Sequence, residues 1–179
     1  MASFVSAGHH LKDPGAVALG LQENNLTIKV RDKVVEHLKA KGYKVFTDKD
    51  TETLVEYLKR IEPGEGSVVV EFHFDAGPLQ LATGTSAFFA DNASQRSKDF
   101  AVDMASVGSK IMQIPNRGAY SETQSHRGRL GLVHEPGINC LVEVAFITNT
   151  KDIYSFDQNF EELCRAYAEV IMKYDDLVK

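Results

Sequence analysis

Two imidazoles and two carboxylates in this 179-residue chain occupy places where a simple solvated role does not explain them. Glu143 is the one charge inside a run at residues 138–149 (Ile, Asn, Cys, Leu, Val, Glu, Val, Ala, Phe, Ile, Thr, Asn), where Cys140, Leu141, Val142, Val144, Ala145 and Phe146 are apolar on both strand faces. An ionised carboxylate there is costly unless it is paired or faces a wet cleft. Glu23 lies three residues before Leu26 and seven before Val30, on the buried face of a helix's first turn. His9 directly follows a short apolar segment, and His73 falls near the end of an alternating one. Two His and one Glu with a position left for water make a catalytic zinc set, in contrast to the four closed ligands of a structural site. A further Glu beside such a metal can take a proton from water and pass it to a leaving group. The plainer reading makes Glu143 half of a buried ion pair, His9 a loop residue, Glu23 a helix-dipole partner and His73 a satisfied core histidine.

The elements that would position these residues alternate. Residues 2–7 read as a first strand ended by Gly8, and Asp13, Pro14 and Gly15 as a turn. Residues 21–41 are helical, with Leu26, Val30, Val34 and Leu38 at four-residue steps and Gly42 as the stop. Residues 43–47 predict a second strand and 51–61 a second helix with Leu54, Tyr57, Leu58 and Ile61 inward. Residues 67–76 alternate, so Glu71, His73 and Asp75 share a face. A strand at 83–90, a helix at 94–112, a polar irregular loop at 113–129, a small strand at 130–133, the buried strand at 138–146 and a closing helix at 156–174 complete the chain. This pattern predicts a single α/β domain over residues 1–179, a mostly parallel sheet with helices on both faces. In such sheets ligands sit outside the carboxyl ends of the strands, which gathers His9, His73 and Glu143 at one edge with Glu23 nearby.

Composition narrows the partners. With 20 basic against 25 acidic residues, net charge −5 and no Lys/Arg block, the chain lacks the basic stripe that nucleic-acid binding needs. Its two cysteines, Cys140 and Cys164, read as small buried hydrophobes. No stretch is apolar for the ~18 residues of a membrane span. The first residues lack the charged and apolar regions of a signal peptide.

Several short patterns together resemble one family. Gly8, His9, Asp13, Pro14, Gly15 and Ala16; Glu23, Asn24 and Leu26; Gly42, Tyr43, Val45 and Thr47; His73 and Ala76; Arg117 and Gly118; and Leu141, Val142, Glu143, Phe146, Asn149 and Asp152 are similar, in order and spacing, to the type 3 catalytic domain of the zinc-dependent N-acetylmuramoyl-L-alanine amidases. The resemblance implies that His9, Glu23 and His73 bind Zn2+ and that Glu143 is the catalytic glutamate. It implies a twisted six-stranded sheet of phosphorylase/hydrolase-like type, and hydrolysis of the amide joining N-acetylmuramic acid to the L-alanine of the stem peptide. The chain departs from the family pattern at Ser6, Ala7, His10 and Leu11 around the first histidine, at Asp48, and at Glu71, Phe72, Phe74 and Asp75 around the second. His10 therefore competes with His9 as a ligand, and Glu71 and Asp75 become candidates to hold a ligand imidazole in its tautomer.

In the 113–129 loop, Arg117, His126 and Arg127, with Arg129 at its end, are candidates for stem-peptide carboxylates. That loop is short and poor in apolar periodicity, so no helix is expected to plug the metal. The expected partner is peptidoglycan or a muropeptide, met in the periplasm or outside the cell, by a monomer with no export signal of its own. A phage-type lysin and a catalytic domain from a longer protein both fit. A zinc exopeptidase on a related sheet and a non-catalytic wall-binding module remain alternatives.

Overall fold

A computed structural model describes residues 2–78, 80–125 and 128–177. The chain runs β1 (Ser3–Ala7), β2 (Val17–Ala18), β3 (Leu21–Gln22), α1 (Glu23–Ala40), β4 (Val45–Thr47), α2 (Leu54–Arg60), β5 (Val68–Asp75), β6 (Thr85–Phe89), α3 (Gln95–Met112), β7 (Asn116–Ser121), β8 (Ile138–Phe146) and α4 (Thr150–Asp176). Six strands form one sheet in the order β4-β1-β5-β8-β6-β7, and β2 and β3 form a separate small ribbon. Neighbours in the large sheet are parallel except β6, which runs antiparallel to β8.

Local sequence explains most of the element ends. All nine residues of β8 are buried, as a central strand covered on both faces requires. In α1 the predicted stripe Leu26, Val30, Val34 and Leu38 is the face that enters the core. Thr53 and Glu56 form a reciprocal capping box on α2. Ser94 accepts from the Ser97 N–H to start α3, and the Asn149 side chain accepts from the Lys151 and Asp152 N–H groups to start α4. The closing helix therefore begins at Thr150, six residues before the expected 156.

The two faces of the sheet are covered unequally. Val70, Phe72 and Phe74 of β5 join Val142 and Val144 of β8 and the inner faces of α1, α3 and α4 in the main core. Burying Phe72, Phe74, Phe100 and Phe156 contributes about 1.5–3 kcal/mol each. Among the described residues the opposite face carries only α2 and two 3-10 turns, Glu122–Ser125 and Leu132–His134. Tyr57 and Ile61 of this side pack with Ala2, Phe4, Val69 and Leu132, while Val133 packs with Ala90 and Leu141. On this thinly covered face the register sets His73 of β5 beside Glu143 of β8, and Glu143 beside Ser86 of β6.

Three expectations are corrected. Residues 113–129 are not one irregular loop, because Asn116–Ser121 is the sixth strand. It lies at the sheet edge, mostly polar and partly exposed, so no apolar alternation marks it. Residues 130–133 are not a strand: Leu132 and Val133 enter a 3-10 turn that sends adjacent side chains into two different apolar clusters. Leu54, expected to point inward, begins α2 and is 38% exposed. Both cysteines are buried and unpaired as disulfides. Among the described residues, no helix is long and apolar enough to cross a membrane.

Candidate active site

His9 follows β1 in a left-handed backbone conformation (φ 68°), which turns its ring back toward the start of α1. Glu23, the first residue of α1, is buried at 3% exposure. The loop between them packs so closely that a Cβ at Gly15 would stand 2.5 Å from the His9 ring and 2.6 Å from Glu23 Oε2. Gly8 is held to glycine for the same reason, since a Cβ there would lie 2.3 Å from the His73 ring.

The two imidazoles meet Glu23 from opposite sides. His9 Nε2 is 3.1 Å from Glu23 Oε2, and His73 Nδ1 is 3.0 Å from Glu23 Oε1. Backbone donors fix the carboxylate between them: the Ala16 N–H donates to Oε2 at 2.9 Å and the Phe74 N–H to Oε1 at 3.0 Å. One ligand atom from each of His9, Glu23 and His73 lies within 4.8 Å of the other two. The second nitrogen of each ring is also held by a carboxylate. His9 Nδ1 is 2.9 Å from Asp13 Oδ2, and His73 Nε2 is 3.3 Å from Glu71 Oε2. An imidazole with one nitrogen turned inward and the other held by a carboxylate is the arrangement of a metal-bound histidine, so the donor set fits zinc.

Electrostatics say the same. Burial pushes the Glu23 carboxyl up, but hydrogen bonds from His73, His9 and the Ala16 N–H outweigh it and hold the group well below the usual carboxylate range. Burial pulls the His73 imidazolium down, yet Glu23 and Glu71, with help from the charge of Glu143, push it up to about 10. His9 is raised in the same way by Glu23 and Asp13 against its own desolvation. Three carboxylates thus share two imidazoles, a strong demand for positive charge.

Glu143 is 1% exposed and sits three residues inside the end of β8, not at its edge. It belongs to the sheet's thin face, where its strand neighbours are His73 and Ser86. The Thr85 hydroxyl donates to its backbone oxygen at 3.0 Å, pinning β6 to β8 at this point. A cavity of about 420 Å³ opens over the cluster, lined by His9, Glu23, Glu71 and His73 together with Leu54, Arg129, Leu130, Gly131 and Leu141.

The remaining expected residues divide. Arg129 lines the cavity over the cluster. Arg117 does not: its guanidinium lies 5.1 Å over the Phe146 ring, and it lines a second cavity together with Asp75. Asp75 accepts from the Ala76 N–H at 2.8 Å, so the carboxylate on the His73 ring is Glu71. His126 and Arg127 lie outside the described residues. His10 stays in its own loop, its Nδ1 accepting from the Lys12 N–H at 3.3 Å, so His9 is the histidine that joins Glu23 and His73. Sequence reasoning gave Asp13 no role at the site beyond the turn and the family pattern; its four-residue spacing from His9 was the available signal.

Residues 4–173 match the family described as N-acetylmuramoyl-L-alanine amidase. The chain is 28% identical over 153 residues, 83% of its length and 71% of the other's, to the uncharacterized protein YqiI of Bacillus subtilis (strain 168). It is 29% identical over 98 residues to the N-acetylmuramoyl-L-alanine amidase AmiC of Neisseria meningitidis serogroup B, a match covering 52% of this chain and 24% of that protein. Its fold superposes on the catalytic domain of CwlV, an N-acetylmuramoyl-L-alanine amidase from Bacillus (Paenibacillus) polymyxa var. colistinus, with TM-score 0.76, 24% identity and 100% of both chains covered. The CwlD amidase of Clostridioides difficile, solved in complex with the GerS lipoprotein, superposes with TM-score 0.81 at 18% identity, covering 99% of this chain and 100% of that one. The chain belongs to the N-acetylmuramoyl-L-alanine amidase family and is an enzyme of that class.

Proposed function

We propose that this chain is a single catalytic domain that cleaves the amide between N-acetylmuramic acid and L-alanine in peptidoglycan, with zinc held by His9, Glu23 and His73 and with Glu143 as general base and then general acid. The convergence of the three ligand atoms within 4.8 Å, with Glu143 next in register to His73, carries this reading. When bound, zinc supplies Lewis acidity and brings the pKa of water toward ~7. Asp13 and Glu71 keep the two imidazoles in the tautomers that turn His9 Nε2 and His73 Nδ1 inward. Glu143 takes a proton from the attacking water at its carboxylate, then returns it to the alanine nitrogen as the carbon–nitrogen bond breaks. The apolar wall of Leu54, Leu130 and Leu141 limits competing water, and Arg129 offers its guanidinium to a stem-peptide carboxylate.

Mass spectrometry of muropeptides after digestion tests the bond assignment. The expected products are a stem peptide with a free L-alanine amino terminus and an intact glycan, with none formed in chelator. Cleavage between amino acids of the stem would instead identify a peptidase.

A further inference from the structure

Across the thin face of the sheet, residues follow in register from Glu71 and His73 on β5, through Leu141 and Glu143 on β8 and Ser86 and Phe88 on β6, to Gly118 and Tyr120 on β7. Glu143 therefore stands between two cavities. One is the cavity over His9, Glu23 and His73. The other, about 560 Å³, lies over β6 and β7 and is lined by Asp75, Ser86, Phe88, Arg117, Tyr120, Thr123, Gln124 and Ser125. A bond broken at Glu143 has one substituent on each side, so both cavities are available to one substrate.

Their linings differ in chemistry. The first offers Leu54, Leu130 and Leu141 with one guanidinium, which suits a short peptide. The second offers two aromatic rings, the Asp75 carboxylate and the Arg117 guanidinium, and a rim of hydroxyls and an amide. Phe88 and Tyr120 stand with ring centroids 6.2 Å apart, and Tyr120 is 36% exposed. The Tyr120 hydroxyl donates to the Arg117 backbone oxygen, which fixes the ring in place before any ligand arrives. Arg117 is itself drawn over the Phe146 ring. A fixed aromatic face takes up the C–H face of a pyranose, while Ser86, Thr123 and Gln124 are placed to exchange hydrogen bonds with its hydroxyl and acetamido groups.

The geometry points to the β6–β7 cavity as the glycan subsite, with Tyr120 as the platform for the muramic acid ring and the peptide directed over the metal cluster. This inference rests on the assignment of Glu143 as the residue beside the scissile amide. Its recognition element is the ring of Tyr120.

Two substrates carrying the same lactyl–alanine amide separate the contributions: an N-acetylmuramoyl peptide, and a lactoyl peptide lacking the sugar. The expected result is that Tyr120→Ala lowers the ratio of kcat/KM for the muramoyl over the lactoyl substrate about tenfold, mainly through KM, and that Tyr120→Phe stays close to the parent. An unchanged ratio would overturn the subsite, whether both rates fall together or neither does. A turnover-free arm is calorimetric titration of the chelator-stripped protein with the peptide-free N-acetylglucosaminyl–N-acetylmuramic acid disaccharide. Binding should weaken about tenfold in Tyr120→Ala, and equal binding by parent and variant, or none by either, contradicts the proposal. An inactive parent protein that still binds the disaccharide through Tyr120 would sink the amidase assignment and leave the subsite standing.

Discussion

Two charge clusters with buried centres lie near the His9 loop, and they are balanced in opposite ways. In one, Arg31, with its side chain 3% exposed, supplies a fixed cation to several acids. Its Nη1 lies 3.0 Å from Asp48 Oδ1 and its Nε 2.8 Å from Asp32 Oδ1, while Nη2 bonds Asp50. Asp48 also accepts from the Ala7 N–H at 3.2 Å, and the Asp50 backbone oxygen accepts from the Leu11 N–H at 2.7 Å, so this cluster braces both ends of the loop that carries His9. In the other, Asp13, Glu23 and Glu71 surround His9 and His73 with no Arg or Lys in contact among the described residues. The same chain thus shows what a structural ion cluster looks like when complete. The histidine cluster is built on the same scale with no permanent cation paired to it among the described residues, which is what a site for a dissociable metal should look like.

Substitutions can break this contrast in order of size. Glu143→Ala should lower turnover by at least ~10² while leaving zinc content per chain unchanged, because the proposed mechanism gives Glu143 the proton transfer and no place among the three ligands. Near-parental turnover would remove Glu143 from the mechanism. Arg31→Met should act on stability instead, costing about 3–5 kcal/mol in a denaturant melt because Asp48 is left buried without its partner. Adding Asp48→Leu should recover most of that loss; if the single variant melts like the parent, the cluster is not a brace. Glu71→Gln should weaken zinc about 10–100-fold in a competition with a chromophoric chelator. Unchanged affinity would return Glu71 to an ordinary polar role.

The pH dependence sharpens the same comparison. In the metal-free protein Glu23 and Glu71 push His73 up to about 10, above the 6.5 of a free imidazole, so its contribution to stability is complete below about 6.5 and is lost as pH rises toward 10. Glu23 is shifted down, so its contribution is present above its usual range and is lost as pH falls below it. Zinc must displace the proton on His73, so binding strengthens as pH rises. The zinc-induced rise in melting temperature should therefore grow from pH 6 to pH 9. A rise that is constant over that range would show that His73 is not where metal and proton compete.

Much of the site could be read from sequence because each of its residues broke a local rule. Glu143 interrupts an apolar strand, Glu23 occupies the buried face of α1, and the alternation of β5 puts His73 and Glu71 on one side. What could not be read depended on the order of strands. Because β6 runs antiparallel to β8, the start of β7 returns to the carboxyl end of β8, which carries Arg117 to Phe146 and away from the metal cluster. No local pattern announces that reversal. Edge strand β7 escaped notice because of its residues only Ala119 packs against the main core, so it shows neither alternation nor a hydrophobic run. The role of Asp13 depended on the left-handed turn at His9, a backbone feature rather than a side-chain one.

The most direct test of the unbalanced histidine cluster is calorimetric titration of the chelator-stripped protein with zinc, alongside Glu23→Ala. The expected result is one zinc per chain in the parent, with amidase activity returning in step, and no such binding in Glu23→Ala while Arg31 and its acids keep the variant folded. A parent protein that binds no zinc, or a Glu23→Ala variant that binds it as tightly, would contradict the account.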